Sequence, residues 1–511
     1  MLSYEESLKI LKETNALLDG HFILSSGMHS PQYVQCAQLL SKPYKSANFC
    51  ESLTQKISKE FKNIDLVLAP AMGGVVIGYE IGRLLKKETF DKDQFMIENM
   101  QFNAAYKLHI KRKNIKKKNI KDQILQDFKN RYNDYRDHWT NVNKNIIENK
   151  ISDNLNNPYC VDIELASICD LACPHCYREY IVTPDKIMKE DLFKKIIKQV
   201  EDLQIPSIKL NWRGEPLLHP KIFDFIDLAK KAGVLEVSIN TNATTLDEKK
   251  TEKLINSGLD QIIFSFDGGT QKTYEKMRPG RFKDNKFSEV YRNIKNFCLK
   301  KKELNKTFPL TKIQMVMTKT TRNEVDSFFN LFSDIIDDVV VTQYQERGGN
   351  LEDITDEQKN KIQTYQKSNY INQYIAKANG DLLVSTNRKT CDQPYQRLMI
   401  AYNGQVGMCC HDWGAQHCIG YLDEDGINNY DKELNETFQN VKDNKKGFEL
   451  LKNVKMPEKY YEAKKKVSTL EEIWKGKELN SVRSKHEKGQ INEIDVCANC
   501  TYKNSYNWKK I

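Results

Sequence analysis

The sequence contains no long run of apolar residues. A membrane-spanning helix needs roughly 20 consecutive residues that are mostly apolar, and no segment approaches that length. The N-terminal residues, MLSYEESLKILKE, also lack the apolar centre of a secretory signal peptide. We therefore expect a cytoplasmic protein with no membrane partner. With 511 residues, of which 39% are hydrophobic, the chain is long enough for about three domains with buried cores.

Glycine and proline are absent from residues 91–155, which are rich in lysine, asparagine, aspartate and glutamine. This composition predicts a linker, and side chains at helical spacing predict one or two helices towards its end: Tyr132, Tyr135, Trp139 and Ile146. Much of the net charge of +10 lies between Lys107 and Lys121. A nucleic-acid patch is one interpretation, but no aromatic residues are interleaved there to stack on bases. A solvated linker is the favoured interpretation.

Disulfide bonds are not expected among the 13 cysteines, because the cytoplasm keeps thiols reduced. The spacing of these cysteines is uneven. Three lie within residues 169–176, and six lie beyond residue 390. Clustered cysteines in a reducing compartment indicate metal ligation.

Strand and helix patterns alternate through the centre of the chain, between residues 156 and 380. Six apolar segments predict strands: residues 160–166, 208–214, 234–242, 261–268, 312–318 and 338–344. Amphipathic segments between them, such as 219–232 and 247–257, predict helices. Parallel strands joined by helical crossovers form an α/β fold, here a partial (β/α)6 barrel.

The two ends of the chain have different patterns. Residues 1–90 predict a small α/β segment with a helix at 2–18, β structure at 21–35, a helix at 44–60, a strand at 64–70 and a further helix after it. Residues 385–511 are rich in loops and contain several cysteines, which predicts a small domain stapled by metal.

Residues 169–177 read CDLACPHCY and place Cys169, Cys173 and Cys176 on one loop after a predicted buried strand. Three thiolates can hold three irons of a [4Fe–4S] cluster and leave the fourth iron open. An open iron can bind the amino and carboxylate groups of S-adenosylmethionine (SAM). Zinc is the alternative metal, but it needs a fourth ligand, which His175 is poorly placed to provide. The cluster is the favoured hypothesis.

The segment CDLACPHCY is similar to the CxxxCxxC signature of radical SAM enzymes, with an aromatic residue beside the last cysteine. WRGEPLLHP at 212–220 resembles the GGEP motif of that family, with Arg213 in place of the first glycine. SINTNAT (238–244) and SFDG (265–268) resemble its strand ends. TYEKMRPG (273–280), which contains Arg278, resembles one of its turns.

This resemblance implies a SAM site at the carboxyl ends of the barrel strands, where barrel ligands gather. It assigns Tyr177 to the adenine and the GEP motif to the amino group of SAM. The residues implied to bind the cofactor are Tyr177, Gly214, Glu215, Pro216, Ser238, Asn240, Asn242 and Ser265.

The cysteines beyond residue 390 follow a second spacing. Cys391, Gly404 and Cys409 precede a helical pattern at 469–486 and the sequence CANC at 497–500. This order resembles the SPASM domain attached to many radical SAM enzymes, but the six cysteines are too few for the two auxiliary clusters of a full SPASM domain. The resemblance implies one auxiliary [4Fe–4S] cluster with four ligands: Cys391, Cys409, Cys497 and Cys500.

Two alternatives stay open for this second set of cysteines. Cys410 could replace Cys409 as a ligand, whereas Cys418 is expected to be a plain buried thiol. Zinc could also occupy the site, because CxxC pairs suit zinc as well as iron–sulfur clusters.

Residues 18–36 and 69–85 resemble the N-terminal half of orotate phosphoribosyltransferase. The resemblance stops near residue 90. The motif for phosphoribosyl pyrophosphate, a strand ending in two acidic residues before a Thr-Gly-Gly turn, does not occur in the sequence. We therefore expect no transferase activity, and interpret this segment as a remnant or a binding module for a phosphorylated ligand. Half of an α/β unit leaves a sheet edge unpaired, which could require a partner.

The leading hypothesis is a radical SAM enzyme that forms a 5′-deoxyadenosyl radical and abstracts hydrogen from a small-molecule or peptide substrate. A carbohydrate or nucleotide sugar is favoured, because no winged-helix segment for a precursor peptide is evident near the N-terminus. The alternatives are a peptide or protein maturase of the same chemistry, and an orotate phosphoribosyltransferase-like protein with a metal-binding tail. An electron donor such as flavodoxin or ferredoxin is the expected partner, nucleic acid is not favoured, and the sequence identifies no catalytic acid or base.

Overall fold

A computed structural model describes the chain in two compact units, Met1–Phe102 and Asn103–Ile511. The described residues are 2–23, 29–61, 64, 66–69, 75–91, 135–136, 139, 157–343, 360–361, 363–364, 373–376, 382–385, 388–443, 445, 454–498, 500, 502 and 506–511. None of the helices within these residues is both long enough and apolar enough to cross a membrane.

The described residues of the first unit form helices and two small sheets. Its helices are α1 (Tyr4–Glu13), α2 (Cys36–Leu40), α3 (Pro43–Glu60) and α4 (Val75–Leu85), and its strands are β1 (Leu17–Ile23), β2 (His29–Val34), β3 (Leu66–Ala69) and β4 (Glu88–Asp91). Strands β1 and β2 are antiparallel, whereas β3 and β4 are parallel. The elements predicted between residues 2 and 85 are all present, and α2 was not predicted.

Helix α1 begins at Tyr4 because Ser3 and Glu6 form a capping box. The hydroxyl of Ser3 accepts the N–H of Glu6 at 3.1 Å, and the Glu6 carboxylate accepts the N–H of Ser3 at 2.8 Å. The helix ends earlier than predicted, because Asn15 adopts a left-handed backbone with a φ of 53°.

The second unit contains six parallel strands in a row. They are β5 (Cys160–Ile163), β6 (Ser207–Lys209), β7 (Glu236–Thr241), β8 (Gln261–Ser265), β9 (Leu310–Met317) and β10 (Asp338–Gln343). Their order in the sheet is their order in the chain, and each neighbouring pair is parallel. The predicted α/β fold with six parallel strands is therefore confirmed.

Helices connect these strands. They are α5 (Glu190–Asp202), α6 (Ile222–Lys231), α7 (Glu248–Asn256), α8 (Gln271–Met277), α9 (Phe287–Glu303) and α10 (Val325–Phe332). In α5 the apolar residues recur every three or four positions, so one face of the helix is buried: Leu192, Phe193, Ile196, Ile197 and Val200. All four residues of β5 are buried, as expected for a parallel strand covered on both faces.

Among its described residues, the C-terminal part of the second unit adds seven strands and five helices. The strands are β11 (Gln373–Ala376), β12 (Leu382–Ser385), β13 (Arg397–Ile400), β14 (Gln405–Gly407), β15 (His417–Tyr421), β16 (Tyr461–Glu462) and β17 (Lys509–Lys510). The helices are α11 (Glu424–Asn428), α12 (Tyr430–Lys442), α13 (Leu470–Trp474), α14 (Lys477–Glu487) and α15 (Asp495–Ala498). The single helix predicted at 469–486 is two helices, because the backbone of Gly476 between them is extended, with φ −68° and ψ 159°.

The barrel sheet continues into this C-terminal part. Strand β13 pairs in parallel with β5, and β14, β15 and β16 extend the same sheet to ten strands among the described residues. Strands β11, β12 and β17 form a separate sheet. The barrel and the C-terminal segment therefore share one hydrogen-bonded sheet.

Most of the linker predicted at 91–155 lies outside the described residues, including all of Lys107–Lys121, Tyr132 and Ile146. Tyr135 and Trp139 are described. Both are buried, and they pack in one cluster with Cys160 and Leu310 of the barrel. This part of the predicted linker therefore contributes to a core.

Candidate active site

Cys169, Cys173 and Cys176, here called the cradle cysteines, lie on the loop that follows the carboxyl end of β5. Backbone hydrogen bonds of 2.7–2.8 Å fix this loop against the segments after β6 and α8: from Glu215 to Ile168, from Ala172 to Pro279 and from Arg281 to Asp170. The loop is therefore held at the edge of the sheet where the strands end.

Burial raises the pKa of all three cradle thiols, because a thiolate there is poorly solvated. The pKa of Cys173 rises to about 12. Arginines oppose this shift: Arg278 lowers the pKa of Cys173, and Arg178 and Arg281 lower that of Cys176. A metal deprotonates the thiols that coordinate it, and these cations would offset part of the resulting negative charge.

His175 lies within the cradle loop and contacts Asp267, which follows β8. Its Nε2 is 3.2 Å from Oδ2 of Asp267, and Nη2 of Arg278 is 2.8 Å from the same oxygen. Burial acts to raise the pKa of Asp267, but Arg278 and His175 outweigh it and hold the pKa below the usual range. The Asp267 carboxylate thus holds the His175 ring and the Arg278 guanidinium beside the cradle. The Val316 N–H donates to Asp267 at 2.6 Å and fixes it in turn.

Glycine is required at position 214. The backbone of Gly214 is left-handed, with a φ of 64°, and a Cβ there would lie 2.4 Å from the carbonyl oxygens of both Ala166 and Ile168. The first residue of the GEP motif therefore allows the segment after β6 to approach the cradle loop.

Glu215 is buried, and both of its carboxylate oxygens accept hydrogen bonds. Its Oε1 accepts the Leu217 N–H at 3.0 Å and the Thr241 hydroxyl at 2.8 Å, and its Oε2 accepts the Asn242 N–H at 2.7 Å. Burial, with the nearby Asp170, raises the pKa of Glu215 to about 7, and the hydrogen bonds only partly oppose this. Its charge near neutral pH therefore depends on what lies beside it.

Asp170 links the cradle loop to the segment after β7. Its Oδ1 accepts the side-chain N–H of Asn242 at 2.8 Å, and its Oδ2 accepts the Thr244 hydroxyl at 2.5 Å. The ends of β5, β6 and β7 thus share one polar network. Sequence reasoning included Glu215 and Asn242 but missed Asp170, Thr241 and Thr244. Their positions inside CDLAC and NTNAT were the available signal.

The other predicted SAM residues lie on the same strands. Ser238 and Asn240 are in β7, Ser265 is the last residue of β8, and Pro216 begins a short 3-10 turn after Glu215. Among the described residues, the side chains of Ser238, Asn240 and Ser265 form no hydrogen bond to Glu215 or Asp170.

Arg213, which replaces a glycine of the family motif, forms a buried ion pair. Its Nε and Nη2 donate to the two carboxylate oxygens of Glu164 at 2.5 and 2.7 Å, and both side chains are almost completely buried. Glu164 also accepts the N–H of Tyr402 at 3.2 Å. The pair therefore joins β5 and β6 to the segment that follows β13.

Aromatic side chains join the cradle loop to the loop of Cys409 and Cys410. The Trp413 ring lies 5.3 Å from Tyr177 in an edge-to-face contact and 6.1 Å from Trp212. The indole N–H of Trp212 donates to the Cys410 carbonyl at 3.0 Å. Tyr177, assigned to the adenine by the sequence, thus packs against a C-terminal loop.

Cys391, Cys409, Cys497 and Cys500, here called the C-terminal cysteines, come from three separate segments. Burial raises the pKa of the first three thiols, and Cys497 and Cys500 further raise that of both Cys391 and Cys409. One ring contacts two of these segments: the Cys391 N–H donates to Nδ1 of His486 at 3.2 Å, and Nε2 of His486 lies 3.6 Å from the Cys497 sulfur.

Cys410 and Cys418 have different surroundings. The Cys410 thiol donates to Oε1 of Gln393 at 3.4 Å, and the Cys418 thiol donates to the Gly420 carbonyl at 3.3 Å. Burial raises the pKa of Cys418 to about 11.

As the side chains stand, no group of three or more His, Cys, Asp or Glu residues within the described part of the chain is arranged to hold a metal ion. The donor chemistry nevertheless fits iron–sulfur clusters, which cysteine thiolates hold. One set has three thiols on one loop beside three arginines, and the other has four thiols, of which three are buried.

Comparison with known proteins identifies the barrel. Residues 163–332, from the end of β5 to the end of α10, match the Radical SAM superfamily. Among solved structures, the chain is similar to BtrN in complex with AdoMet and 2-DOIA, with 15% identity, a TM-score of 0.36 and coverage of 67% of this chain and 92% of that one. It is also similar to Streptococcus suis SuiB bound to S-adenosylmethionine, with 18% identity, a TM-score of 0.39 and coverage of 54% and 65%.

The N-terminal segment matches a different family. It is 47% identical over 85 residues to orotate phosphoribosyltransferase of Erythrobacter litoralis, covering 16% of this chain and 44% of that protein. It is 45% identical over 82 residues to the Carboxydothermus hydrogenoformans enzyme, covering 16% of this chain and 43% of that protein. The chain spans less than half the length of these relatives. The two predicted resemblances to the radical SAM family and to orotate phosphoribosyltransferase are therefore confirmed, the first over residues 163–332 and the second over the N-terminal segment.

Proposed function

We propose that this protein cleaves SAM reductively and abstracts hydrogen from a substrate held at the carboxyl ends of the barrel strands. The observation that carries the proposal is the convergence of the cradle cysteines with Glu215, Asn242 and Asp170 in one network at these strand ends. Ligands of barrels bind at this edge.

The chain's own residues would bind and orient the cofactors. The cradle cysteines would hold three irons of a [4Fe–4S] cluster, which when bound supplies the electron that splits SAM into methionine and a 5′-deoxyadenosyl radical. An ionised Glu215 would accept the amino group of SAM, since a cation beside a buried carboxylate favours its charged form. Gly214 would keep the GEP segment against the loop.

The remaining predicted cofactor residues have supporting roles in this proposal. Tyr177 would approach the adenine from its position against Trp413. Ser238, Asn240 and Asn242 would contact the ribose and carboxylate, with Pro216 and Ser265 at the neighbouring strand ends.

The C-terminal cysteines would hold one auxiliary [4Fe–4S] cluster that accepts an electron or binds substrate. The contacts of His486 with both Cys391 and Cys497 support a common site that would include Cys409 and Cys500. A flavodoxin or ferredoxin would supply electrons. The favoured substrate is a carbohydrate or nucleotide sugar, and a peptide or protein substrate is the alternative.

The test is anaerobic reconstitution with iron and sulfide, followed by reduction in the presence of SAM. We expect about eight irons per chain, the number in two [4Fe–4S] clusters, and release of 5′-deoxyadenosine. Cys173→Ala should abolish this release. Cys298→Ala is the matched control, because Cys298 is a partly buried thiol of α9 that belongs to neither cysteine set. Zinc in place of iron, or no cleavage of SAM, would refute the proposal.

A second candidate function comes from the match of the N-terminal segment to orotate phosphoribosyltransferases. In this alternative the protein would be phosphoribosyltransferase-like, with a metal-binding tail. Orotate-dependent release of pyrophosphate would support it. The missing pyrophosphate-binding motif argues against it, so we expect none.

A further inference from the structure

We propose that His486 is a positioning residue of the auxiliary site, which donates its Nε2–H to the sulfur of Cys497 while its Nδ1 accepts the backbone N–H of Cys391. This inference rests on the proposed function, because it takes the C-terminal cysteines as ligands of an iron–sulfur cluster. It assigns to the ring a specific task, which is to set the reduction potential of that cluster.

The ring of His486 is held rigidly in the core. His486 lies in the last turn of α14 and is 1% exposed. Its own carbonyl accepts the Thr390 hydroxyl at 3.1 Å, and the next residue, Cys391, contacts the ring. Both the backbone and the ring of His486 are therefore hydrogen-bonded to the segment that contains Cys391.

The hydrogen-bond pattern fixes which nitrogen carries the proton. The backbone N–H of Cys391 lies 3.2 Å from Nδ1 of His486, and a backbone amide can only donate. Nδ1 must therefore present its lone pair, which a doubly protonated ring cannot do. The neutral ring then carries its proton on Nε2, and Nε2 lies 3.6 Å from Sγ of Cys497. The ring thus donates to a sulfur.

A hydrogen bond to a cluster sulfur changes how easily the cluster is reduced. The added electron increases negative charge on the sulfurs, so a donor stabilises the reduced state more than the oxidised state, and the reduction potential rises. A single ring also contacts two cysteines that are far apart in the chain. It therefore fixes the position of Cys391 relative to Cys497 before any metal binds.

Another donor at the site provides an internal reference. The backbone N–H of Tyr502 lies 3.3 Å from Sγ of Cys500. No side-chain substitution at position 486 removes this bond, so a change in potential in a His486 variant reports the ring and not the whole donor set.

The experiment uses the full chain with the cradle cysteines replaced by alanine, so that only the auxiliary cluster contributes signal. After anaerobic reconstitution, its midpoint potential is measured by titration monitored with electron paramagnetic resonance. We expect His486→Leu to lower the midpoint potential, and His486→Gln, which keeps an N–H donor, to lower it less. His417→Leu is the matched control, since His417 is a half-buried histidine that stacks on Tyr461 instead of a cysteine, and it should leave the potential unchanged.

The second readout uses the parent protein, which has the cradle cysteines replaced by alanine and His486 unchanged, labelled with ¹⁵N-histidine. Pulsed electron paramagnetic resonance on this protein does not depend on a His486 variant folding. A hydrogen bond predicts a weak coupling between the reduced cluster and one histidine nitrogen. A strong coupling typical of direct ligation would overturn the proposal, as would unchanged potentials in both His486 variants. No iron in the parent would refute the auxiliary site itself, and this role with it, whereas iron with unchanged potentials refutes the role alone.

Discussion

The cradle cysteines and the C-terminal cysteines are built in opposite ways. The cradle cysteines lie within eight residues of one loop, which follows a single buried strand. The C-terminal cysteines come from the segments before β13, after β14 and after α14, so a common site for them requires these elements to pack. Bringing distant segments together costs loop-closure entropy that a local motif does not incur. The first site is thus a property of a loop, and the second is a property of the whole C-terminal fold.

The largest expected effect separates the two sites chemically. Replacing all three cradle cysteines by alanine should remove about four of about eight irons and abolish SAM cleavage. Cys497→Ala with Cys500→Ala should also remove about four irons, but reductive cleavage of SAM to methionine and 5′-deoxyadenosine should continue, because the cradle is intact. Iron content and product release measure the two effects. Loss of all iron in the second variant would mean that the sites are not independent.

The next effect tests the contact between the two regions. Arg213→Met should lower the free energy of unfolding by about 3–5 kcal/mol, because it leaves the buried charge of Glu164 unpaired. The exposed pair Lys231–Asp227, with N and O atoms 2.6 Å apart, is the control, and Lys231→Met should cost less than about 1 kcal/mol. Urea denaturation followed by tryptophan fluorescence compares them. Equal shifts would contradict the role given to Arg213.

A smaller effect concerns pH. Burial raises the pKa of Glu215 to about 7, so the carboxylate that would accept the SAM amino group is increasingly protonated as the pH falls through this value. Affinity of the reconstituted protein for SAM should therefore decrease from pH 8 to pH 6. Glu215→Gln should bind SAM weakly and flatten the dependence. Equilibrium binding of SAM is measured across this range. The control is Glu252→Gln, on the exposed face of α7, which should keep the pH dependence of the unmodified protein. Identical pH profiles for the Glu215→Gln and Glu252→Gln variants would contradict the prediction.

The smallest effect sharpens the ligand assignment of the C-terminal site. Cys410→Ala should retain about eight irons, whereas Cys409→Ala should retain about four. The reason is that Cys409 follows Gly404 at the spacing of the family motif, while the Cys410 thiol donates to Gln393. The reverse result in iron analysis would exchange the two residues.

The strands were predictable because their burial pattern is local, but their ends were not. The segment 160–166 was predicted as one strand, yet β5 ends at Ile163 although Leu165 and Ala166 are buried. Apolar character shows burial, whereas a strand also needs a partner with matching hydrogen bonds. The helix at 469–486 failed for a related reason, since the backbone of Gly476 is extended there.

In the candidate site, too, local features were predictable from the sequence and contacts between distant segments were not. CxxxCxxC and GEP are local patterns, so the sequence alone named the cradle cysteines, Gly214 and Glu215. The partnership of Arg213 with Glu164 depends on the register of β5 and β6, and the donation from Tyr402 depends on β13. The contact of His486 with Cys391 and Cys497 likewise exists only in three dimensions. No spacing rule reaches these pairs, because each joins segments whose approach is decided by packing.

The parallel pairing of β13 with β5 has a consequence for how the protein can be shortened. Arg397 to Ile400 cover the edge of β5, whose other edge is covered by β6. A chain that stopped before Arg397 would expose the first barrel strand as a bare row of amide and carbonyl groups, which invites pairing between molecules. Removing the C-terminal segment should thus produce aggregates instead of a trimmed barrel, and light scattering of such a truncation would reveal them.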